Sequence, residues 1–595
     1  MGKLDAALTG TVNGPEEDPE LDWHGINWAR EDRNVRRLRQ RIFKASQEED
    51  LAKVRNLQKL MLRSRSNTLL SVRRVTQQSS GRKTAGIDGE VVVTPKGRAQ
   101  LAMEIQETPF RRPDAVKRVY IPKSNGKQRP LGIPVIRDRV SQARVKNALE
   151  PEWEARFESR SYGFRPGRSC HDAIESIFSF TCHKSQVREW ILDADLSAAF
   201  DRIHHDRLMQ FIGSFPGREP IHGWLKAGVM ENGRWTPTEE GTPQGGVISP
   251  LLLNIALHGM EEAVGVGYRI RKGVEPGAKP GTPVLVRYAD DFVVLTHSKE
   301  EAERAERELA LWLEPRGLRF NGEKTRIVHL EKGFDFLGFN IRRSSERKIV
   351  IRPSKDAVGR IRERLRTEVK ALNGANAAAV LRTLTPIVRG WATYYRGVMS
   401  SRIFTSLDHY VWKLTYKWAR RSHPNKPKNW VVKRYFGKYN KSRADKWVFG
   451  DRSSGAYLHK FAWSPIVRHV RVKGAASMDD ASLQDYWANR RRKKAPPVMD
   501  KTSLNLAFRQ QGLCPLCNGA LITGAEYEPD HPREWIEWFA AVARRLHKHH
   551  FVYRRDGGGD DWKNLRLVHA DCHRQHHEAD DSKTGRKSRR PVGSA

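Results

Sequence analysis

Two spacings of apolar residues occur along the chain, and together they predict a mixture of helices and strands. Near the N-terminus, apolar residues recur every three or four positions among many Arg and Lys, as in Val35, Leu38 and Ile42. Continuous apolar runs at 190–196 and 284–295 instead predict strands. The second run contains an acidic pair, which we expect at the turn of a hairpin.

The predicted strands are not separated by regularly spaced helices. Residues 117–134 predict two short strands joined by a turn at 124–126. Helical spacing follows at 301–315 and 356–372. Because strands and helices do not alternate regularly, we predict an α+β core rather than a doubly wound parallel sheet.

The amino-acid composition indicates what kind of partner the protein binds. Among 595 residues, 107 Lys and Arg against 69 Asp and Glu give 107 − 69 = +38, which points to a polyanion. The mean hydropathy is −0.67, and the most apolar stretch, 247–257, is too short to cross a bilayer. The first residues lack the pattern of a signal peptide. We therefore expect neither a membrane span nor secretion.

Cysteines are few and concentrated near the C-terminus. Five cysteines cannot form a disulfide framework for a chain of this length. The pairs Cys514–Cys517 and His569–Cys572 each leave a two-residue gap, a spacing typical of tetrahedral structural Zn²⁺. A small segment with little apolar sequence would be stabilised by such an ion. The alternative is a set of reduced, unligated cysteines.

Three segments combine acidic or glycine-rich residues with apolar flanks. They are ILDADLSAAFD (191–201), GTPQGGVISPLLLN (241–254) and VRYADDFVVL (286–295). Phosphoryl transfer needs positioning and charge neutralisation, which two Mg²⁺ ions roughly 4 Å apart supply. Asp195, Asp290 and Asp291 offer the hard oxygen ligands that Mg²⁺ prefers. Alone, each acidic residue could equally be a solvated turn or a strand-end residue.

The order of these segments resembles that of reverse transcriptases. Further pieces support the resemblance: IPKSNGKQRPLGIP (121–134), SYGFRPGRS (161–169), GLRFNGEKTRIVH (317–329) and FDFLGFNI (334–341). From about residue 30 to 480, the chain resembles a group II intron-encoded reverse transcriptase/maturase. The resemblance implies a multidomain α+β protein, with right-hand polymerase fingers and palm and an α-helical thumb/maturase domain.

The resemblance also implies roles for residues around the acidic trio. Lys123 and Arg129 would grip the triphosphate of the incoming nucleotide. Phe200 would exclude a 2′-hydroxyl by steric rejection and so favour deoxynucleotides. Gln244 would lie near the nascent base pair, and Lys324 near the triphosphate.

An aromatic and basic region follows the predicted palm. GWATYYRG (390–397) and the helices after it resemble the maturase domain of the same family. Aromatic side chains interleaved with cations can stack on unpaired bases and neutralise phosphates. The competing interpretation is that residues such as Trp412 and Tyr416 are ordinary core.

The C-terminal histidines form a second pattern threaded through the cysteines. The run from His547 to His577 resembles an HNH endonuclease with a small ββα-metal fold. The resemblance implies that His550 activates water as a general base and that Asn564 holds the loop carrying it. His549, His573 and His577 would bind one divalent ion, Mg²⁺ or Mn²⁺.

Three details leave that assignment open. Tyr553 stands where the family usually has proline. His576 adjoins His577, so either could face the ion. Asp530–His531 offers a competing start for the motif, although the distance from His549–His550 to the glycine pair fits better. A plainer alternative is that all these histidines support the zinc site.

The resulting domain boundaries are predictions. They are a flexible start (1–30), fingers and palm (31–350), thumb/maturase (351–474), a basic DNA-binding linker (475–503), an HNH domain with structural zinc (504–580) and a disordered basic tail (581–595).

The combination implies a protein of a mobile intron. We expect it to bind its structured intron RNA, assist splicing, cut one strand of double-stranded target DNA, and extend the new end with dNTPs (retrohoming). The expected location is bacterial cytoplasm, beside the nucleoid, or an organelle; the oligomeric state is left open. The alternatives are a maturase without enzymatic activity, a domesticated antiviral polymerase, and an HNH nuclease on an inert scaffold.

Overall fold

The structure is a computed structural model, and its described residues cover most of the chain. They are 21–122, 128–182, 188–271, 274–440, 442–493, 501–519, 521, 546–553, 557–559, 561–570, 572–573 and 576–577. Of the segment expected to be flexible, residues 1–20 lie outside this set, whereas Trp23 and Trp28 are buried. None of the described helices is long and apolar enough to cross a membrane.

Helices and strands are mixed along the chain, as an α+β protein requires. The described strands are β1 (Val116–Pro122), β2 (Gln128–Ile133), β3 (Trp190–Asp195), β4 (Val229–Glu231), β5 (Arg234–Thr236), β6 (Tyr268–Arg271), β7 (Val274–Ala278), β8 (Val284–Tyr288), β9 (Asp291–Thr296), β10 (Arg326–His329), β11 (Phe334–Phe336), β12 (Phe339–Arg343), β13 (Ile349–Pro353), β14 (Phe436–Gly437), β15 (Val448–Phe449), β16 (Leu546–His550) and β17 (Leu565–His569). The described helices are α1 (Trp28–Gln47), α2 (Leu51–Arg63), α3 (Arg65–Arg73), α4 (Pro95–Glu107), α5 (Ile136–Glu154), α6 (Cys170–Thr181), α7 (Ala199–Arg202), α8 (His205–Ile212), α9 (Arg218–Lys226), α10 (Ser249–Ala256), α11 (Met260–Ala263), α12 (Lys299–Leu313), α13 (Lys355–Ala371), α14 (Ala377–Tyr395), α15 (Ser401–Ser422), α16 (Lys428–Tyr435), α17 (Gln484–Lys493) and α18 (Lys501–Arg509).

The N-terminal helices form a bundle against α5. Asn27, Asp50 and Ser64 each accept a hydrogen bond from the main-chain N–H three residues on, which fixes the starts of α1, α2 and α3. Val35 and Ile42, two of the positions predicted to form an apolar face, are buried. The helical spacing predicted from the sequence is therefore confirmed in α1, and its apolar face is buried.

Two sheets follow, and both contain predicted strands. The first has the order β2-β1-β4-β5, and β1 pairs antiparallel with β2. The turn predicted between them at 124–126 lies outside the described residues. The second sheet has the order β10-β3-β9-β8, and its residues Val284–Tyr288 are all buried. It is covered by helices and forms the palm.

A three-stranded sheet, β11-β12-β13, joins the palm to the helices α13–α16. Trp391, Tyr394 and Tyr395 of the motif at 390–397 are buried. The Tyr394 hydroxyl donates to the carbonyl of Leu337 at 3.0 Å, and the Tyr394 ring stacks on Phe339 with centroids 5.3 Å apart. The aromatic side chains of this motif are therefore core, and they attach the thumb to the sheet.

Part of the segment predicted to be a basic linker packs against the rest of the described chain. Asp479 forms an ion pair with Arg39 of α1 at 2.7 Å. Trp487 is buried, and its indole N–H donates to the carbonyl of Ser477 at 2.7 Å. Residues 494–500 lie outside the described residues.

The C-terminal module contains α18 and the antiparallel pair β16–β17. The Gln510 side-chain amide pairs with the main chain of Leu567, with both hydrogen bonds at 2.8 Å. Residues 570, 572–573 and 576–577 are helical and complete a ββα order. The competing Asp530–His531 start lies outside the described residues.

Candidate active sites

The palm sheet brings three predicted carboxylates to one end. Asp195 is the last residue of β3, and Asp291 is the first residue of β9. The two strands are antiparallel, and Asp195 lies directly opposite Asp291 in their register. Asp290 occupies the turn of the β8–β9 hairpin beside Ala289, whose φ is +58°. The hairpin predicted from the sequence therefore places its acidic pair beside Asp195.

The three carboxylates repel one another in a half-buried site. Burial raises the pKa of Asp291 well above its ordinary value, and the charges of Asp290 and Asp195 raise it further. Burial and the charge of Asp195 also raise the pKa of Asp290, while Arg129 and Lys324 oppose that rise. Crowded, partly desolvated carboxylates are a donor set that fits hard divalent cations such as Mg²⁺.

Two residues of the loop before β10 contact Asp195. The ammonium of Lys324 forms an ion pair with the Asp195 carboxylate. The Asn321 side-chain amide donates to the same carboxylate at 3.3 Å, and the Asn321 main-chain N–H donates to the Asp195 carbonyl at 2.8 Å. Lys324 was predicted from the sequence, whereas Asn321 was missed. Asn321 lies within the segment at 317–329 that resembles reverse transcriptases, and that position is the signal that could have identified it.

The predicted steric gate and the glycine-rich turn lie next to each other. Phe200 is 8% exposed, and its ring meets the Phe164 ring edge-on at 6.1 Å. Its carbonyl accepts a hydrogen bond from the main chain of Thr242, in the turn that contains Gln244. The Gln244 carbonyl accepts a hydrogen bond from the main chain of Gly132 in β2 at 2.9 Å, so this turn connects the β2-β1-β4-β5 sheet to the palm sheet.

Of the two residues predicted to contact the triphosphate, the structure describes Arg129 but not Lys123. Arg129 is exposed on β2 and lies close enough to Asp290 to lower the pKa of that carboxyl. Lys123 lies outside the described residues, and its role stays a prediction.

A buried polar network, missed in the sequence, supports the acidic hairpin. The Arg287 guanidinium donates to the Asn254 side chain at 2.9 Å, and the Asn254 amide donates to the Gly163 carbonyl at 2.9 Å. A Cβ on Gly163 would lie 2.3 Å from the main-chain nitrogen of Ala289. Each residue lies inside a quoted motif, but only the fold reveals that they meet.

The four predicted zinc ligands converge in the C-terminal module. One ligand atom from each of Cys514, Cys517, His569 and Cys572 lies within 4.8 Å of the others. The Cys517 sulfur is 3.4 Å from His569 Nδ1, and the main-chain N–H of Gly519 donates to that sulfur. All three cysteines are buried. Three soft sulfurs and an imidazole at this spacing fit tetrahedral Zn²⁺.

The predicted nuclease ligands form a second cluster. One nitrogen from each of His549, His573 and His577 lies within 4.8 Å of the others. Burial and the neighbouring imidazoles lower the pKa of both His549 and His573 to about 4. These two rings are therefore neutral near pH 7 and have a lone pair for a metal. His576 also lies near His549, with ring centroids 5.0 Å apart.

Asn564 ties together the loop between β16 and β17. Its side-chain oxygen accepts from the Val552 N–H at 2.7 Å, and its amide donates to the carbonyls of Val552 and Gly559 at 2.9 Å each. Its own carbonyl accepts from Phe551, the residue after His550, at 3.0 Å. This arrangement can hold His550 in place, as the sequence predicts for Asn564.

Four family models match consecutive parts of the chain. Residues 23–105 match the N-terminal domain of reverse transcriptase, and 121–341 match reverse transcriptase (RNA-dependent DNA polymerase). Residues 358–436 match the group II intron, maturase-specific domain, and 537–579 match HNH endonuclease.

Proteins from several organisms are similar to this chain. Protein YkfC of Escherichia coli is 37% identical over 48% of this chain and 84% of its own length. The group II intron-encoded protein LtrA of Lactococcus lactis is 32% identical over 39% of this chain. That match spans 47%, about half, of the Lactococcus protein. Maturase-like protein 1 of Euglena gracilis is 26% identical over 62% of this chain and 76% of its own length.

Proposed function

This chain belongs to the group II intron-encoded proteins, with reverse transcriptase, maturase and HNH endonuclease domains, and we propose that it copies its own intron RNA into DNA. The copying would take place at a target site that its nuclease cuts. The polymerase and nuclease would act in sequence on one DNA strand. The nuclease leaves a 3′-hydroxyl, and the polymerase extends it with dNTPs.

In the polymerase step, side chains of the palm position the reactants. Asp195 and Asp290, with Asp291 in support, would bind two Mg²⁺ ions, which lower the barrier to attack by the primer hydroxyl and neutralise the departing pyrophosphate. Arg129 and Lys123 would bind the triphosphate, and Phe200 would exclude ribonucleotides. Before nucleotide binding, Lys324 balances the charge of Asp195.

In the nuclease step, the histidines have separate roles. His549, His573 and His577 would hold one divalent ion, which polarises the scissile phosphate and stabilises the departing 3′-oxygen. His550 would take a proton from the attacking water, as a neutral imidazole can near pH 7. Asn564 keeps the backbone beside His550 in one conformation through hydrogen bonds to Val552.

RNA binding would fall mainly to the maturase domain. His409, Trp412 and Tyr416 stack in a row along α15, with successive centroids 5.7 Å apart. Lys413 and Lys417 on the same helix are exposed. Aromatic faces beside cations suit unpaired bases and phosphates of a structured intron RNA.

The convergence of Asp195, Asp290 and Asp291 at one end of the central palm strands is the observation that carries this proposal. An inert scaffold, or a protein that only assists RNA folding, would gain nothing from three mutually repelling carboxylates in a half-buried site.

The test is to assemble the chain with RNA recovered from cells and add labelled target DNA, Mg²⁺ and dNTPs. We expect a unique structured intron in the recovered RNA, and cDNA joined to a nicked strand. Asp290→Ala should nick without making cDNA. His550→Ala should not nick but should make cDNA on DNA nicked beforehand. Nicking by His550→Ala, or recovery of diffuse cellular RNA, would contradict the nuclease or the maturase assignment respectively.

A further inference from the structure

The cysteine cluster of the C-terminal module touches the opposite end of the chain. Arg73, the last residue of α3 in the N-terminal bundle, donates a hydrogen bond from Nη2 to the Cys572 sulfur at 2.9 Å. The two residues are 499 positions apart in the sequence. Arg73 is 5% exposed, so its guanidinium is buried in the junction between the polymerase and the nuclease module.

The charge of the cluster explains why an arginine lies there. Three thiolates and one neutral imidazole around Zn²⁺ leave one net negative charge in a buried place. A buried charge is costly unless a partner of opposite sign compensates for it. Among the ion pairs of the described residues, none gives Arg73 a carboxylate partner, so the cysteine sulfurs are the anionic groups that it faces.

The guanidinium is held in place from its other side. It lies over the Trp28 ring, 4.5 Å from the centroid, and Trp28 meets Trp23 edge-on at 5.0 Å. A π-helical turn, Arg74–Gln78, follows Arg73 directly. Such turns are rare and are frequent at functional sites. The Arg73 side chain is therefore held in place by its packing contacts and is not an exposed surface side chain.

Apolar contacts join the two domains around this hydrogen bond. One continuous apolar cluster contains Trp28 and Val72 from the N-terminal bundle together with Leu506 and Leu567 from the C-terminal module. Cys514, Cys517 and Cys572 belong to the same cluster. The ligand sulfurs thus form part of the apolar surface by which the module packs on the polymerase. The shape of that surface therefore depends on whether the four ligands are held together.

We propose that Arg73 is the counter-cation of the zinc-thiolate site and that this site, when loaded, clamps the nuclease module onto the N-terminal bundle of the polymerase. The inference rests on the zinc assignment made above. The ion then has two roles, because it folds the module and also fixes where the nuclease lies relative to the polymerase. Loss of the ion releases the nuclease from the polymerase.

The coupling must act in both directions. If zinc strengthens the docking of the module, then docking strengthens the retention of zinc by the same factor. In the loaded site, the hydrogen bond from Arg73 would partly offset the negative charge on the Cys572 sulfur. Outer contacts of this kind change metal affinity by roughly 10- to 100-fold.

The test uses the full chain and three variants. Arg73→Met removes both the positive charge and the hydrogen-bond donors. Arg73→Lys keeps the charge but lacks the planar guanidinium, and Arg144→Met is the matched control. Arg144 is also a buried arginine of the neighbouring helices, but it donates to the carbonyl of Leu62 and is not among the contacts of the cysteine cluster. The readout is the rate at which Zn²⁺ passes to a coloured chelator.

We expect Arg73→Met to release Zn²⁺ about tenfold faster than wild type, Arg73→Lys to lie between them, and Arg144→Met to match wild type. In the Co²⁺-substituted proteins, the sulfur-to-metal charge-transfer band should shift in Arg73→Met and not in Arg144→Met. Equal release rates and unshifted bands in all four proteins would overturn the inference.

A measurement on the wild-type chain keeps the proposal testable if Arg73→Met fails to fold. Chelation of Zn²⁺ should make a protease release the C-terminal module while the polymerase part stays intact and extends a primer. A module that stays protected without Zn²⁺ would overturn the clamp. Wild-type protein that binds no Zn²⁺ at all would instead overturn the zinc assignment itself, so the two failures are distinguishable.

Discussion

At the scale of single residues, the polymerase site depends on where a few side chains are held. Phe200 follows Asp195 by five positions, and the short helix α7 directs it toward Phe164 and the glycine-rich turn. We expect a rigid ring in this position to limit the space available at the sugar of an incoming nucleotide.

Replacement of Phe200 by Val should relax sugar selection. The smaller side chain leaves room for a 2′-hydroxyl, so we expect the preference for dNTPs over rNTPs to fall roughly 10- to 100-fold, with dNTP incorporation largely kept. Single-nucleotide primer extension with each substrate measures this ratio. Phe211→Val, at a half-buried phenylalanine of α8 outside the site, should leave the ratio unchanged. An unaltered ratio in Phe200→Val would rule out the steric gate.

At the scale of elements, the acidic hairpin is held from beneath by a neighbouring loop. The Tyr162 N–H donates to the Arg287 carbonyl at 2.9 Å, and Gly163 lies against the main chain of Ala289. Only a residue without a side chain allows two backbones to approach this closely.

Gly163→Ala should therefore impair polymerisation without affecting the nuclease. The added Cβ must displace the turn that carries Asp290, and a shift of about 1 Å in a catalytic group costs on the order of 100-fold in rate. Primer extension and DNA nicking by the same preparation provide the comparison. Gly277→Ala is the control, since a Cβ there meets no atom within 4 Å. Full extension activity in Gly163→Ala would contradict the packing argument.

An ion-pair network links α1, α5 and the segment at 475–493. Arg39 bonds both Glu150 and Asp479, and Lys146 lies 3.4 Å from Glu150. Burial alone would raise the pKa of Glu150, but Lys146 and Arg39 outweigh it and hold that pKa at about 2, below the ordinary 4.5. The ionised carboxylate therefore stabilises the fold above pH 4.5, and this stabilisation is lost as the pH falls toward 2.

Glu150→Gln should lower the free energy of unfolding by about 3 kcal/mol at pH 7, because it leaves buried cations uncompensated. The difference from wild type should shrink below pH 4.5. Urea unfolding followed by circular dichroism at pH 7 and at about pH 3 measures both values. Glu48→Gln, at an exposed pair with Lys44, should change stability by less than about 0.5 kcal/mol. A difference that does not depend on pH would exclude this ionisation as its source.

Local sequence patterns predicted the helices and strands, whereas the contacts between distant residues depend on how those elements pack. The strands at 190–196 and 284–295 and the helices at 301–315 and 356–372 were predictable because their apolar spacing is continuous. Arg287 meets Asn254 across 33 residues and Arg73 meets Cys572 across 499, and no local pattern encodes such contacts. The motif at 390–397 supplies core aromatics because its helix faces the β11–β13 sheet.

At the scale of the whole molecule, the two candidate catalytic sites differ in chemistry and lie in separate domains of one chain. The polymerase site brings carboxylates together at the ends of two central strands, and the nuclease site brings imidazoles together on a ββα unit. Because no residue is shared between them, each site should be separable by substitution.

Asn564→Ala should abolish most nicking and leave extension intact. Loss of its hydrogen bonds to Val552 frees the loop after His550, and misplacement of the base costs on the order of 100-fold. Nicking of plasmid DNA and extension of an annealed primer measure the two activities. Lys563→Ala, next in the chain and exposed, is the matched control. Equal loss of both activities would indicate a defect in folding instead.

Primer extension on poly(rA)/oligo(dT) tests the central claim most directly. With Mg²⁺ and dTTP, the wild-type chain should extend the primer, Asp290→Ala should not, and Asp335→Asn, at an exposed carboxylate outside the trio, should behave as wild type. Extension by Asp290→Ala equal to that of wild type, or no extension by any of the three, would contradict the assignment of this acidic trio as a polymerase centre.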